Sequence, residues 1–138
     1  MSLLNVFSIS GSAMSANSLR LNVTASNLAN AESISSSVNT TYRARHPVFS
    51  AVFNPDRMDG VSTGVATLGV VESAAPLQKH HQPDHPMADD KGYIYTSNVN
   101  SIEEMANMLA ASRAYENNVE VINTSKQLLI RTLSLGQG

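Results

Sequence analysis

Apolar residues recur at every third or fourth position along the C-terminal part of the chain. The series runs through Met105, Met108, Ser112, Tyr115, Val119, Ile122, Lys126, Leu129 and Leu133, and all of these except Ser112 and Lys126 are apolar. Polar residues, Glu103 and Glu104 among them, fall between these positions, and neither Pro nor Gly interrupts the series before Gly136. This spacing predicts one long amphipathic helix with a narrow apolar seam. At 1.5 Å per residue the helix would extend roughly 50 Å, so it requires a partner helix.

A second segment of the same kind opens the chain. Residues Leu3 to Ala31 contain no Pro, and the apolar residues Phe7, Met14, Leu21 and Leu28 stand seven positions apart. Heptad spacing combined with small residues such as Gly11 favours the close approach of two helices in a left-handed pair or bundle. The simplest alternative is that the two amphipathic ends form an ordinary intramolecular core. We expect the seam between helices to be formed by Val6, Ile9, Ala13, Ala16, Leu21, Leu28, Met105, Met108, Tyr115, Val119, Ile122, Leu129 and Leu133.

Between the helices, aromatic and β-branched residues predict three short strands, over Tyr42 to Phe53, Gly64 to Glu72 and Gly92 to Thr96. Pro47 places the first of these strands at an edge or a break, because Pro cannot donate a hydrogen bond to a neighbouring strand. The expected product is a small β module, too short to hold a deep pocket of its own.

The rest of the middle region predicts irregular structure. Ser33 to Thr41 has no helical period and favours a flexible linker, Asn54 to Gly60 is typical of a turn, and Ala75 to Asp90 is rich in Pro and His and should be extended. We therefore expect a mainly α chain. Residues 1–32 and 98–138 form N- and C-terminal helices that pair as a coiled coil, and residues 33–97 form the linker and the small β module.

Composition narrows the class of protein. Only 14% of the 138 residues are charged and the formal net charge is −2, so no electrostatic footprint for nucleic acid or anionic lipid is present. The chain has no Cys, which excludes disulfides and thiolate chemistry. A basic N-terminal region, a continuous apolar signal segment and a run of eighteen apolar residues are all missing, so we expect neither a cleaved Sec-type signal nor a membrane span.

Candidate chemistry is sparse. A metal site is conceivable at His80, His81, Asp84, His85, Asp89 and Asp90. Pro83 and Pro86, however, prevent the helix that would bring His81 and His85 to one face, so an exposed or interface loop is favoured. Arg43 and Arg45 form a weak basic patch for which ion pairs are favoured over phosphate binding. No phosphate-binding loop, nucleophile elbow or catalytic triad pattern occurs. We expect no enzyme, no catalytic residue, no metal and no cofactor.

Several runs of residues resemble a known family. Asn27 to Ala31, which closes the N-terminal segment, resembles the signature of bacterial flagellar rod, hook and hook-associated proteins. More narrowly, runs along nearly the whole chain are similar to proximal-rod proteins of the flagellar basal body. The positions that carry the resemblance include Asn27, Leu28, Ala29, Asn30, Tyr42, Arg43, Pro86, Ala88, Asp89, Gly92, Tyr93, Asn98, Val99, Arg113 and Tyr115. Ser97 departs from the family, whose members often have Pro there, and Asn54 to Thr67 matches no family pattern.

The resemblance implies an assembly role. In this family the terminal helices pair as a coiled coil and pack with those of neighbouring subunits into a helical tube, with the β module outside. The rod crosses the periplasm and transmits torque, and its subunits pass through the flagellar type III export channel without a cleaved signal. Implied partners are copies of the chain itself, other rod proteins including the distal rod, and components near the export gate and the MS ring. Nucleic acid and a membrane span are not expected.

Three alternatives stay open at this point. Another axial component, such as a different rod protein or a hook-associated protein, would share the Asn27 to Ala31 signature. A soluble two-helix adaptor would share the periodicity alone. A metal-dependent hydrolase would require a stoichiometric metal.

Overall fold

The computed structural model describes residues 3–53 and 62–136, and within these ranges two long helices flank a β module. Helix α1 spans Leu3–Ala29 and helix α2 spans Ser101–Leu135. The strands are β1 (Ile34–Ser35), β2 (Arg45–Phe53), β3 (Ser62–Glu72), β4 (Gln78–His81) and β5 (Tyr93–Thr96). The prediction of two terminal helices around a small β module is confirmed. The turn predicted over Asn54 to Gly60 lies outside the described residues.

Helix α2 has well-defined ends. The Asn100 side chain caps its start, because Oδ1 accepts hydrogen bonds from the backbone N–H groups of Ile102 and Glu103 at 3.1 and 3.4 Å. Two glutamates follow in the first turn, where negative charge is favourable beside the helix N-terminus. The helix ends where the Gly136 N–H donates to the carbonyls of Thr132 and Leu133, both at 3.2 Å.

Helices α1 and α2 pack against each other in antiparallel orientation. The Arg20 guanidinium donates to Asn107 Oδ1 at 3.0 Å, and the residues that follow α1 meet those that precede α2, since the Ala44 N–H donates to Asn98 Oδ1 at 2.7 Å. Helix α2 has 35 residues against 27 in α1. Its C-terminal end therefore extends beyond the start of α1.

Strands β2 and β3 form a long two-stranded antiparallel ribbon that lies on α1. The Ser12 hydroxyl accepts a hydrogen bond from the Val65 N–H at 3.1 Å. A Cβ atom on Gly64 would lie 2.8 Å from Ser12 Oγ, so this close approach requires glycine. Pro47 faces Val70 in the ribbon, and in a two-stranded sheet every position belongs to an edge strand, as the proline requires.

The remaining strands form a three-stranded antiparallel sheet in the order β1, β5, β4. The prediction of a flexible linker is wrong at Ile34 and Ser35, which pair with Thr96 and Tyr95 of β5. The prediction of irregular structure is wrong at Gln78–His81, which pairs with the other edge of β5. Strand β5 therefore pairs with both neighbours through backbone hydrogen bonds, which the pattern of side chains does not predict.

Candidate assembly surface

The face of α2 that packs on the rest of the chain follows a heptad-like rhythm. Eight of its partly or fully buried positions alternate in steps of four and three residues: Glu104, Met108, Ala111, Tyr115, Asn118, Ile122, Ser125 and Leu129. Ser101, Asn107, Ser112, Ala114 and Val119 are also partly buried and flank this series. We define the eight residues of the series as the α2 seam. Ala111, at 0% exposure, is completely covered by its neighbours. The alternation equals 3.5 residues per turn on average, the repeat of left-handed helix pairs.

The α2 seam overlaps only in part with the apolar series that the sequence analysis identified. Among the thirteen predicted seam residues, eleven are buried or partly buried, whereas Met105 and Leu133 are 53% and 60% exposed in this chain. Glu104, which the sequence places on the outer polar face, is instead 4% exposed. That expectation is wrong because small and polar residues, rather than the nearest apolar ones, occupy alternate contact positions on α2.

A second set of residues leaves α2 with uncovered apolar surface. These large side chains are each more than two-fifths exposed: Ile102, Met105, Leu109, Val121, Leu128, Ile130, Leu133 and Leu135. The last four lie in or next to the part of α2 that extends past the start of α1. Clustered apolar surface of this kind marks protein interaction sites in soluble proteins. The geometry therefore provides a surface for association with other chains.

The N-terminal signature forms a polar junction where α1 meets β2. Asn27 is almost completely buried; its Nδ2 donates to the Arg45 carbonyl at 2.8 Å and its Oδ1 accepts from the Arg45 N–H at 2.9 Å. The same Oδ1 accepts from the Tyr42 hydroxyl at 2.9 Å. Asn30 lies one turn later; its side chain donates to the Ser26 carbonyl at 2.8 Å, and its own carbonyl accepts from the Ser33 hydroxyl at 2.8 Å. Leu28 is partly buried and Ala29 is exposed.

Asn98 and Arg43 join the same junction to the approach of α2. The Asn98 side chain accepts from the Ala44 N–H and donates to the Ala75 carbonyl at 2.9 Å. The Arg43 guanidinium donates to the carbonyls of Ser73 and Ala75 at 3.3 and 3.2 Å. Three chain segments are thereby fixed at one end of the helix pair. Ser97 is buried, and its hydroxyl accepts from the Val99 N–H at 3.1 Å, which gives a local turn before α2.

Asp89 organises the loop between β4 and β5. Its Oδ1 accepts from the N–H groups of Lys91 and Tyr93 at 2.9 and 2.8 Å, and its Oδ2 accepts from the Tyr95 hydroxyl at 3.4 Å. The hydrogen bond from the Tyr93 N–H is the main cause that holds the pKa of the Asp89 carboxyl below its ordinary value. The Lys79 ammonium lies 3.7 Å from the centre of the Tyr93 ring.

Gly92 completes this loop with a left-handed backbone, φ +77°. A Cβ atom there would lie 3.0 Å from Pro83 Cβ and 3.3 Å from His81 Nε2. The neighbouring Ala88 N–H donates to the His85 carbonyl at 2.9 Å, and Pro86 lies exposed between them. The residues of this segment that carry the family resemblance therefore hold the loop in its conformation.

The histidines of the loop are spread over separate contacts. His81 packs edge-on against Tyr93 with ring centres 4.9 Å apart, and His85 Nδ1 accepts from the Met87 N–H at 3.0 Å. Across residues 3–53 and 62–136, no three His, Asp or Glu side chains lie close enough to hold a metal ion together. Arg45, half of the weak basic patch, pairs with Glu72 at 3.2 Å.

A cleft of about 580 Å³ lies beside this junction and is lined mainly by hydroxyl and amide side chains between Asn30 and Tyr42. Its two arginines, Arg43 and Arg45, are engaged by backbone carbonyls and by Glu72 as described above. Neither described helix is long and apolar enough to cross a membrane.

Comparison with known proteins identifies the family of the chain. Residues 7–32 match a model described as flagella basal body rod protein, and residues 90–135 match the C-terminal model of the flagellar basal body rod FlgEFG proteins. The chain belongs to the flagellar basal-body rod protein family. Its relatives over 99% of this chain and 100% of theirs include the flagellar basal-body rod proteins FlgC of Yersinia enterocolitica and Escherichia coli, both 47% identical, and of Salmonella typhimurium, 46% identical. The resemblance to FlgC-type rod proteins is thus confirmed.

Proposed function

We propose that the chain is a structural subunit of the proximal rod of the flagellar basal body. It assembles with copies of itself and with other axial proteins into a helical tube that carries motor torque across the periplasm. The observation that carries this proposal is the pairing of two long helices that leaves a broad apolar surface on α2 uncovered. No catalytic step is part of this function.

The proposed mechanism is mechanical. In the assembled rod, α1 and α2 act as a coiled-coil pair, and the apolar side chains that are exposed in the single chain become buried against neighbouring subunits. The 3.5-residue rhythm of the α2 seam supports the coiled-coil pairing. Torque passes as shear across many close-packed helix contacts, since packed interiors transmit strain with little compression. The β module lies on the outside of the tube.

Export and neighbours follow from the same family role. The chain leaves the cytoplasm through the flagellar type III channel without a cleaved signal. Its proposed neighbours are other rod proteins, including the distal rod on one side and components near the export gate and MS ring on the other. A different axial role, or a soluble adaptor, would require other neighbours and is separated from this proposal by the experiment below.

The direct test is mass spectrometry of detergent-extracted basal bodies from the source bacterium. Enrichment of the chain at a fixed ratio to the other rod proteins is expected. Recovery with hook or filament fractions instead would assign another axial role, and recovery of all of the chain in the cytoplasm would favour the adaptor and contradict the proposal.

Substitutions at partly buried positions of α2 test the mechanism. Val119→Asp and Leu129→Asp each place a charge at a partly buried helix position, so both should prevent rod assembly and swimming. Glu120→Asp, at an exposed position of the same helix, is the control and should leave swimming unchanged. Normal basal bodies with either aspartate at position 119 or 129 would contradict the mechanism.

A further inference from the structure

The first turns of α2 carry an apolar patch on the side that faces away from α1. We define the α2 outer patch as five exposed residues: Ile102, Met105, Ala106, Leu109 and Ala110. Ala106 and Leu109 stand two residues from the buried seam residues Glu104 and Ala111, which is about 200° around the helix axis. The patch therefore lies opposite the contact between the two helices.

Charged residues bound this patch along α2. Glu103 and Arg113 are exposed at its two ends, and Glu116 and Glu120 follow on the exposed side, as expected for a helix face in water. All exposed residues between Glu103 and Arg113 are apolar, and the most exposed residue of the patch, Ile102, is 78% exposed. An uncharged apolar surface roughly 12 Å long thus remains uncovered in the single chain.

Helix α1 has an exposed face of a different kind. Between residues 5 and 29 its exposed positions alternate in steps of three and four, and we define them as the α1 outer face: Ser8, Gly11, Ser15, Ser18, Asn22, Ala25 and Ala29. A helix face in water usually carries long charged side chains, and this face has none. A Cβ atom on Gly11 would meet no atom within 4 Å, so the face is open in the single chain.

The α2 outer patch and the α1 outer face are complementary in size. The patch presents large side chains, whereas the short side chains of α1 allow a second helix to approach closely. Ile102, Met105 and Leu109 follow one another in steps of three and four residues, the same steps as on the α1 outer face. This is the spacing at which side chains of one helix enter the gaps of another. Neither surface contains a charge that would have to be desolvated.

The two surfaces cannot meet within one chain. Ser18 and Asn22 stand two residues from the buried residues Ala16 and Thr24, so the α1 outer face is turned away from the contacts that bury α1. The α2 outer patch is likewise turned away from α1. A contact between two different surfaces can continue from subunit to subunit, and it builds rings or helical arrays rather than closed pairs.

We propose that the α2 outer patch packs against the α1 outer face of a second copy of the chain that lies beside it. The proposal rests on the rod function proposed above and names the element that covers one of the exposed apolar surfaces of α2. Repetition of this contact joins helix pairs side by side around the tube.

The pairing of α1 with α2 defines which residues should meet. Arg20 donates to Asn107 at 3.0 Å, so these residues lie at the same level of the antiparallel pair. Two residues further along α2 and two residues back along α1, Leu109 lies level with Ser18. In copies that lie side by side, Leu109 of one copy therefore faces Ser18 of the next.

Cysteine cross-linking tests this contact directly, because the chain contains no Cys. A chain with both Leu109→Cys and Ser18→Cys should form covalent dimers and larger oligomers when isolated basal bodies are oxidised, since a disulfide requires Cα atoms within about 7 Å. The matched control combines Leu109→Cys with Ser8→Cys, on the same face but roughly 15 Å away, and should stay monomeric. Absence of oligomers for the first pair, or equal oligomers for both pairs, would overturn the proposal.

The size of the side chain at position 18 provides a second test. In cells whose only source of this protein is the variant, Ser18→Leu should lower the number of complete basal bodies at least about tenfold, because the larger side chain holds the helices apart. Ser18→Ala removes the same hydroxyl, stays small and should assemble as wild type does. Both purified variants should unfold in urea at the wild-type midpoint, since Ser18 is exposed. Normal assembly of Ser18→Leu, or a large fall in its unfolding midpoint, would contradict the proposal.

A compensating substitution identifies the neighbour. Leu109→Ala in the same chain as Ser18→Leu should restore assembly, because every copy then carries both the larger and the smaller side chain. Restoration only by changes in another axial protein would assign the contact to that protein and overturn the proposal. Recovery of the wild-type chain from basal bodies would in that case leave the rod function intact.

Discussion

Asn27 and Arg45 are paired as residues of neighbouring strands are, although Asn27 lies in a helix. The Asn27 side chain donates to the Arg45 carbonyl at 2.8 Å and accepts from the Arg45 N–H at 2.9 Å. One buried amide thus takes the place of a strand neighbour for the first residue of β2. The N-terminal signature of the family is in this chain the joint between helix and ribbon.

Asn27→Asp should weaken this joint. The variant lacks the Nδ2 donor and places a carboxylate oxygen against the Arg45 carbonyl in a buried site. The free energy of unfolding should fall by about 1–3 kcal/mol, measured by urea denaturation of the purified chain near neutral pH. Asn123→Asp, at an exposed position of α2, is the control and should change it by less than about 0.5 kcal/mol. Equal effects of the two variants would refute the role assigned to Asn27.

Ala111→Leu should separate α1 from α2. Ala111 has no exposed surface, so extra methyl groups have no space without displacement of neighbouring side chains or backbone. Overpacking of this kind costs about 1–3 kcal/mol, which urea denaturation would detect. Ala110→Leu makes the same change at the adjacent exposed position and should leave the unfolding midpoint close to that of wild type. A neutral Ala111→Leu would mean that the helices pack less closely than described.

Two glycines should respond to alanine in opposite directions. Gly92→Ala should destabilise the chain by about 1–2 kcal/mol, because position 92 has a left-handed backbone and its Cβ would press on Pro83. Gly11→Ala should stabilise the chain by about 0.4–1 kcal/mol, because it lies within α1 and no atom stands within 4 Å of the added methyl group. Thermal unfolding of both variants would check the pair. A stabilising Gly92→Ala would contradict the loop geometry.

The loop between β4 and β5 should lose stability in acid. Because hydrogen bonds lower the pKa of the folded Asp89 carboxyl, its contribution is fully present above the ordinary value of 3.8 and is lost as the pH falls through the lower folded value. The stability difference between wild type and Asp89→Asn should therefore be larger at about pH 6 than at about pH 3, measured by urea unfolding.

Asp90→Asn provides the control for this experiment. Asp90 is exposed and accepts none of the three hydrogen bonds that Asp89 accepts. Its unfolding midpoint should follow that of wild type at both pH values. The same stability difference for Asp89→Asn at both pH values would contradict the proposed role of the carboxylate.

The extent of the two helices was predictable from sequence, because long runs without Pro and with a repeating apolar stripe have few other solutions. The helix limits are set by features that can also be read in the chain, such as the Asn100 cap and Gly136. Strands β1 and β4 were not predictable in this way. Both depend on the backbone of β5, and β4 contains no apolar residue at all.

The position of the seam on α2 was only partly predictable. Met108, Tyr115, Ile122 and Leu129 belong both to the apolar series and to the observed seam. The intervening seam positions hold Glu104, Asn118 and Ser125, which hydropathy assigns to the outside, and the small residue Ala111, which the apolar series does not include. Pattern analysis assumes that the most apolar face of a helix is the buried one. This assumption fails for α2, because many of its large apolar residues are exposed in the single chain.

Polar residues at these buried positions of α2 raise the free energy of sliding one helix along the other. Leucine or isoleucine at every contact would bind more tightly but would fit nearly as well after a shift of one turn, about 5.4 Å. Glu104 and Ser125 remove that equivalence, because a buried polar side chain would meet different neighbours after such a shift. A helix pair of this kind gives up some apolar contact and gains one defined register between α1 and α2.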